Sequence, residues 1–244
     1  VDTKAYKLDD IQRKIPHAVD GLNISRRKIL AGAIKKFRVD GKAKRVYQLA
    51  GFVADKMCYH HGDASLSSTI IGMAQKYPGA RRFPFLIGEG QFGTRHMGGD
   101  DAGSPRYVSV RLAGDLVGAM FPPDDSYILD YNYEESQRAE PRYFVPVLPM
   151  CVLEHVSVPS EGWKHVSFAR DVGAVADIVR RMLDERPAEP YCRLVALADE
   201  LASLESVRCG DPILSSVEAI ERELGGVPIS LADFVGTVRE TSKG

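Results

Sequence analysis

Two stripes of apolar side chains organise the hydrophobic pattern of this chain. Val46, Leu49, Ala50, Val53, Ala54 and Met57 recur at i, i+3, i+4, i+7, i+8 and i+11, and Leu66, Thr69, Ile70, Met73, Ala74 and Tyr77 repeat that spacing. Such spacing lines one face of a helix with 3.6 residues per turn, so two amphipathic helices are expected. Tyr59-His60-His61-Gly62-Asp63 connects them tightly, with Asp63 the expected N-cap of the second. An earlier helix is expected over residues 25–37 with Ser25 as its N-cap, and Pro78-Gly79 is expected to stop the third. Three helices whose last two meet at a short turn are the makings of a helix-turn-helix.

From Ala80 to Gly103 the pattern changes to glycines and short apolar runs such as Phe83-Pro84-Phe85-Leu86-Ile87, which predicts short strands and loops forming a wing beside the helices. A helix is expected around Val110 to Met120, strands over residues 126–153, and a helix on the stripe Val172, Val175, Ile178, Val179, Met182. Helical stripes return at Leu194, Leu197, Leu201, Leu204 and at Ile213, Val217, Ile220, Leu224. The fold class is therefore α+β: a winged-helix domain over residues 1–122, whose third helix would lie in or near a DNA groove, and a second domain over 123–244.

A chain of 244 residues can bury a substantial core. It has no apolar run near the ~18 residues of a membrane helix and no signal peptide, so no membrane partner is expected. Cys58, Cys151, Cys192 and Cys209 are too scattered for a CxxC site and read as reduced thiols. The net charge of −1 conceals a division: residues 1–110 hold 19 Lys+Arg against 10 Asp+Glu, leaving 13 against 23 for residues 111–244. Screening confines charge to about 8–10 Å at physiological salt, so the basic part can bind nucleic acid despite the near-neutral total.

That basic part contains Arg106-Tyr107, preceded by Ser104-Pro105 and by Gly90-Gln91-Phe92-Gly93-Thr94-Arg95. A free phenol has a pKa of about 10 and attacks poorly until a neighbour takes its proton or stabilises the phenolate. An arginine beside it supplies a permanent charge whose planar fork fits phosphate oxygens. Taken with Ile15-Pro16-His17-Ala18-Val19-Asp20-Gly21-Leu22, Arg26-Arg27-Lys28-Ile29-Leu30, Gln48-Leu49-Ala50-Gly51 and Tyr59-His60-His61-Gly62, this run resembles the breakage-reunion region of type IIA DNA topoisomerases. The resemblance continues through Phe121-Pro122-Pro123, Gln137-Arg138-Ala139-Glu140-Pro141 and Tyr143-Phe144-Val145-Pro146-Val147-Leu148-Pro149-Met150, and covers roughly residues 10 to 185. It looks like the eukaryotic branch. Ser25 to Gly32 and Ser160-Glu161-Gly162-Trp163-Lys164 are similar to the enzymes of large cytoplasmic DNA viruses.

The resemblance implies that Tyr107 attacks a DNA phosphorus and becomes linked to the 5′ end, while Arg106 offsets charge on the phosphoryl oxygens. It places His60 and His61 beside a helix N-terminus suited to phosphate, with His61 the better match as proton acceptor. Arg13, Arg26, Arg27 and Lys28 would grip backbone phosphates, joined by Gln91 and Arg95. Two departures stand out. Gly-Leu-Lys-Pro-Gly-Gln-Arg of the family is Gly21-Leu22-Asn23-Ile24-Ser25-Arg26-Arg27 here, so a lysine is missing at Asn23, and Arg26 stands where glutamine is usual. The family's wedging isoleucine corresponds to Pro159, which either parts a base step or merely turns a loop.

The resemblance also makes residues 123–244 part of an α/β tower domain and implies a homodimer acting on double-stranded DNA. Mg²⁺ and ATP are expected on domains outside this chain, because neither the Toprim acidic motif nor a phosphate-cradling glycine loop is present. Asp100-Asp101 and Asp124-Asp125 lack the partners of a cation cage and read as solvated loop charges. The chain, which starts at Val1, is expected to be a piece of a longer polypeptide that cannot cut DNA alone. Its expected site of action is the nucleus, or a viral factory or virion. The competing reading is a winged-helix DNA-binding or architectural module without chemistry.

Overall fold

The computed structural model describes residues 3–37, 41–134, 136–160 and 162–184. Chain contacts separate a unit containing the described residues up to Ala169 from a second that begins at Arg170. The stripes of residues 194–224 lie outside the described residues.

In the first unit, α1 (Thr3–Lys14) precedes α2 (Ile24–Phe37), β1 (Lys44–Arg45), α3 (Val46–Lys56) and α4 (Asp63–Ala74). The stripe of α3 is buried as its period requires: Val46, Leu49 and Val53 are fully enclosed and meet Ile29, Leu66, Ile70, Leu86 and Val110 in one core. Helix α2 approaches α3 so closely that a Cβ on Gly32 would lie 2.7 Å from Val53 Cγ2. Only a residue without a side chain leaves room there. The helices pack with a three-stranded antiparallel sheet formed by β1, β2 (Leu86–Glu89) and β3 (Ser109–Leu112), in the order β1-β3-β2. β3 is central, pairing Arg45 with Ser109 on one side and Leu86 with Leu112 on the other.

Several boundaries differ from the periodicity. Helix α2 begins at Ile24, because the Asn23 side-chain oxygen, not Ser25, accepts the Arg26 N–H at 3.0 Å. An oxygen two or three residues before a free amide satisfies one of the helix's orphan donors. Gly62 caps α4 without a side-chain bond, and Asp63 is its first residue, where a carboxylate complements the helix dipole. Val110 to Leu112 is strand rather than helix, and α5 (Gly114–Met120) starts only after it. α4 stops at Ala74, before Pro78.

Residues 126–153 are only partly strand: β4 (Tyr131–Glu134) pairs with β5 (Gln137–Pro141), and β5 packs on α2. Pro149 then caps the short α6 (Met150–Leu153), since proline presets a helical start and cannot donate to a sheet ladder. β6 (Val156–Ser160) and β7 (Trp163–Ser167) form a separate hairpin. In the second unit, α7 (Val172–Asp184) begins under the Asp171 carboxylate, which accepts the Ala174 N–H at 2.9 Å. No helix among the described residues is long and apolar enough to cross a membrane.

Candidate functional site

A turn just before β3 presents Tyr107. Val108 and Val110 are in the core at 3% and 0% exposure, while the phenol, one residue earlier on the turn, is 71% exposed. Its turn is nevertheless fixed at the backbone. The Tyr107 N–H donates to Ser104 O at 2.8 Å, and the first two amides of α3 donate to this segment, Val46 to Val108 O at 3.1 Å and Tyr47 to Pro105 O at 3.3 Å. Those amides are helix-end donors that otherwise lack partners. The Arg45 guanidinium adds a bond to the Tyr107 carbonyl oxygen. Arg106 is exposed beside Tyr107, and neither the phenol oxygen nor the Arg106 fork is engaged by another described side chain.

The Gln91 segment is stitched to the same turn. Gly103 N–H donates to Gln91 O at 2.8 Å, and the Asp101 carboxylate accepts the Thr94 N–H at 2.7 Å and the Gln91 amide at 3.4 Å. The Thr94 amide holds the Asp101 carboxyl below its usual range. Asp101 is thus a loop organiser rather than an idle surface charge. Arg95, in the exposed 3-10 turn that follows, shares this neighbourhood. Nearby, burial followed by the charges of Asp100 and Asp101 raises the Tyr77 phenol.

His61 is exposed and stands edge-on to the buried Tyr59 ring, centroids 5.3 Å apart. His60 Nε2 lies 2.6 Å from Glu134 Oε1, tying the α3–α4 turn to β4. With side chains 72% and 44% exposed, that pair is worth at most about 1 kcal/mol and exchanges readily for another anion.

Among the expected phosphate grips, Arg27 and Lys28 are corrected. Arg27 is buried and donates from Nε to Asp20 Oδ2 at 2.6 Å and from Nη2 to Asp20 Oδ1 at 2.9 Å. It also donates to Leu22 O at 2.8 Å. Asp20, fully buried, further accepts the Leu22 and Phe144 N–H groups at 3.0 Å. Lys28 Nζ is consumed by Met57 O at 2.5 Å and by the buried Glu140 at 2.8 Å. Both cations therefore hold the fold, because an unpaired buried carboxylate would cost far more than a solvated one.

Arg13 remains at the surface on α1, its side chain 34% exposed while pairing with Asp10 at 3.2 Å. Asp10 also accepts the Ser160 hydroxyl at 2.8 Å, which brings Arg13 into the neighbourhood of Pro159. Pro159 is exposed within β6, opposite Lys164 and next to the hairpin tip, so the loop expected there is a ribbon. Arg26 is half-buried and lines a shallow surface hollow with Arg81, Phe83, Phe85 and Glu154. Among the described residues no three His, Cys, Asp or Glu side chains converge, so the donor set does not fit a magnesium ion.

Arg45, Asp20 and Asp101 carry structural roles that their sequence context does not signal. Arg45 precedes a helical stripe as an ordinary surface cation, and its partner is a main-chain oxygen 62 residues away.

Comparison with known proteins agrees with this arrangement. The family model for the A subunit of DNA gyrase/topoisomerase IV matches residues 13–197. DNA topoisomerase 2 of African swine fever virus (isolate Tick/South Africa/Pretoriuskop Pr4/1996) is 52% identical over 186 residues, covering 76% of this chain and 16% of that protein. DNA topoisomerase 2-alpha of Mus musculus is 38% identical over 220 residues, covering 88% of this chain and 14% of that protein. The chain thus spans only a small part of the length of these relatives. A crystal structure of the Plasmodium falciparum topoisomerase II DNA-binding, cleavage and re-ligation domain superposes with a TM-score of 0.71 at 34% identity, covering 76% of this chain and 25% of the other. By sequence and by fold, the chain belongs to the DNA gyrase/topoisomerase IV family of type II DNA topoisomerases, in the region that corresponds to the A subunit.

Proposed function

We propose that this chain carries the breakage-reunion centre of a type IIA topoisomerase, with Tyr107 as nucleophile. The observation that carries the reading is a phenol 71% exposed on a turn held at several backbone points. A mobile nucleophile would forfeit the advantage of orientation, which is a large part of what a site can supply to such a transfer. The Tyr107 oxygen attacks a phosphorus of the duplex, the bond from phosphorus to the 3′ oxygen breaks, and a 3′-hydroxyl leaves while the 5′ phosphate stays on the tyrosine. His61 takes the phenolic proton, water supplies the proton that completes the 3′-hydroxyl, and Arg106 stabilises the charge on the phosphoryl oxygens. One phosphodiester replaces another, so the reverse step reseals the strand.

Arg13, Arg26, Gln91 and Arg95 position the duplex through its backbone, and His60 joins them when phosphate displaces Glu134. Pro159, exposed on its hairpin, is placed to press on a base step. We read α2 to α4 with the β1-β3-β2 sheet as a winged helix within residues 1–122, and residues 123–244 as the start of a tower-like domain. The complete protein is a homodimer, since two strands need two tyrosines, and it passes one duplex through another. Mg²⁺ and ATP bind on domains outside this chain. The nucleus, or the factory or virion of a DNA virus, is where it works.

Tyr107→Phe in the complete protein tests this. Covalent 5′-linked DNA complexes should vanish, with duplex binding largely kept. Undiminished covalent complex would leave a DNA-binding module without chemistry at this tyrosine.

A further inference from the structure

We propose that Arg45 is a positioning residue for strand transfer: it holds the main-chain carbonyl of Tyr107 and thereby sets the direction of the phenol. The inference rests on the reading of Tyr107 as nucleophile. An outward-facing side chain at 71% exposure has no packing to orient it. Its aim is then decided where its backbone is fixed. The Tyr107 N–H is held by Ser104 O, and the Val46 and Tyr47 N–H groups reach the carbonyls of residues 108 and 105. The carbonyl of Tyr107 itself has one side-chain partner among the described residues, the Arg45 guanidinium.

Arg45 is itself well placed to act as a fixed post. It lies in β1, paired with Ser109 of β3, and its N–H donates to Gln48 Oε1 at 3.2 Å at the start of α3. A guanidinium carries five N–H donors in a rigid fork, and a carbonyl uses only part of them. Because Arg45 is exposed, its remaining donors are not committed to the interior. One cation therefore ties the nucleophile's backbone to β1 and to the start of α3. Lysine can replace the charge but not the fork.

The test is single-turnover formation of the covalent complex by the complete protein, measured against DNA concentration for Arg45→Ala and Arg45→Lys. For Arg45→Ala the rate at saturating DNA should fall about ten- to a hundredfold, as expected for a nucleophile displaced by a fraction of its reach. The half-saturating DNA concentration should rise by less than about threefold, since a single phosphate contact is a small share of a many-contact interface. Arg45→Lys should recover part of the rate. A saturating rate unchanged in both variants overturns the inference, as does a loss confined to the half-saturating concentration. Should Arg45→Ala fail to fold, Arg45→Lys carries the test alone: a rate reduced at saturation supports it, and a parental rate overturns it. Covalent complex persisting in Tyr107→Phe would instead strike the reading of Tyr107, which separates the two failures.

Discussion

Cutting the Asp20–Arg27 pair should expose how much of this fold hangs on it. Asp20 is fully buried and accepts four hydrogen bonds, two from Arg27 at 2.6 and 2.9 Å and one each from the Leu22 and Phe144 amides at 3.0 Å. Asn in its place keeps one oxygen, loses the charge and turns an NH₂ toward the guanidinium. Arg27 is then a buried cation without a counter-charge, its acceptors reduced to Leu22 O and that one amide oxygen. Removing one member of a buried pair costs about 3–5 kcal/mol. For a chain of 244 residues, at roughly 2–4 °C per kcal/mol, the melting temperature should drop by about 6–20 °C. Thermal and urea unfolding of Asp20→Asn, Arg27→Met and the double variant would measure it. The double variant removes both charges and leaves an amide oxygen for Phe144, so its loss should fall short of the sum of the singles by about 2 kcal/mol. Duplex binding by Arg27→Met should keep its slope of log K against log salt, because this side chain is not at the phosphates. A single-variant cost under about 1 kcal/mol, additive singles, or a slope shallower by about 0.9 would refute the assignment of Arg27 to the interior.

His17 and Gly32 supply two further predictions. Burial holds the His17 pKa below 6.5, offset in part by Asp20, and His17 Nδ1 accepts the Val19 N–H at 3.2 Å, a bond open only to the neutral ring. The unfolded chain then binds the proton first, so stability should be full above pH 6.5 and decline as the pH falls below it; His17→Gln should flatten that limb of a urea-midpoint profile, and an unchanged limb would contradict it. Gly32→Ala places a methyl 2.7 Å from Val53 Cγ2 and should cost about 1–3 kcal/mol, recovered in part by Val53→Ala; a neutral Gly32→Ala in the same unfolding assay would show that α2 and α3 can separate freely.

The helices α3 and α4 were legible because their buried faces follow the helical period without interruption. α1 was not, since Asp10 is its one buried residue and a polar helix leaves no stripe. The expected helix from Val110 takes in the end of β3 because the inward positions Val110 and Leu112 run straight into Leu116, Val117 and Met120 of α5. At the site, Tyr107 stands out in the sequence by its company of motifs, and its exposure on the turn is what the structure adds. The roles of Arg27 and Lys28 were not. A cation facing phosphate and one facing Asp20 or Glu140 look alike in sequence, and Glu140 lies 112 residues beyond Lys28. Arg45 was hidden for a related reason: a bond to a main-chain oxygen imposes no residue type on the acceptor.

The ribbon of β6 and β7 has no third strand among the described residues, so its margins carry backbone groups that no described strand pairs. Strand margins of that kind invite adhesion between molecules unless something spoils the template. Proline at position 159 does so on one margin, because it has no hydrogen to donate and so sits with its nitrogen toward solvent. Pro159 near the tip therefore keeps the spur from recruiting neighbours, and a residue with an amide hydrogen there would restore a complete ladder edge.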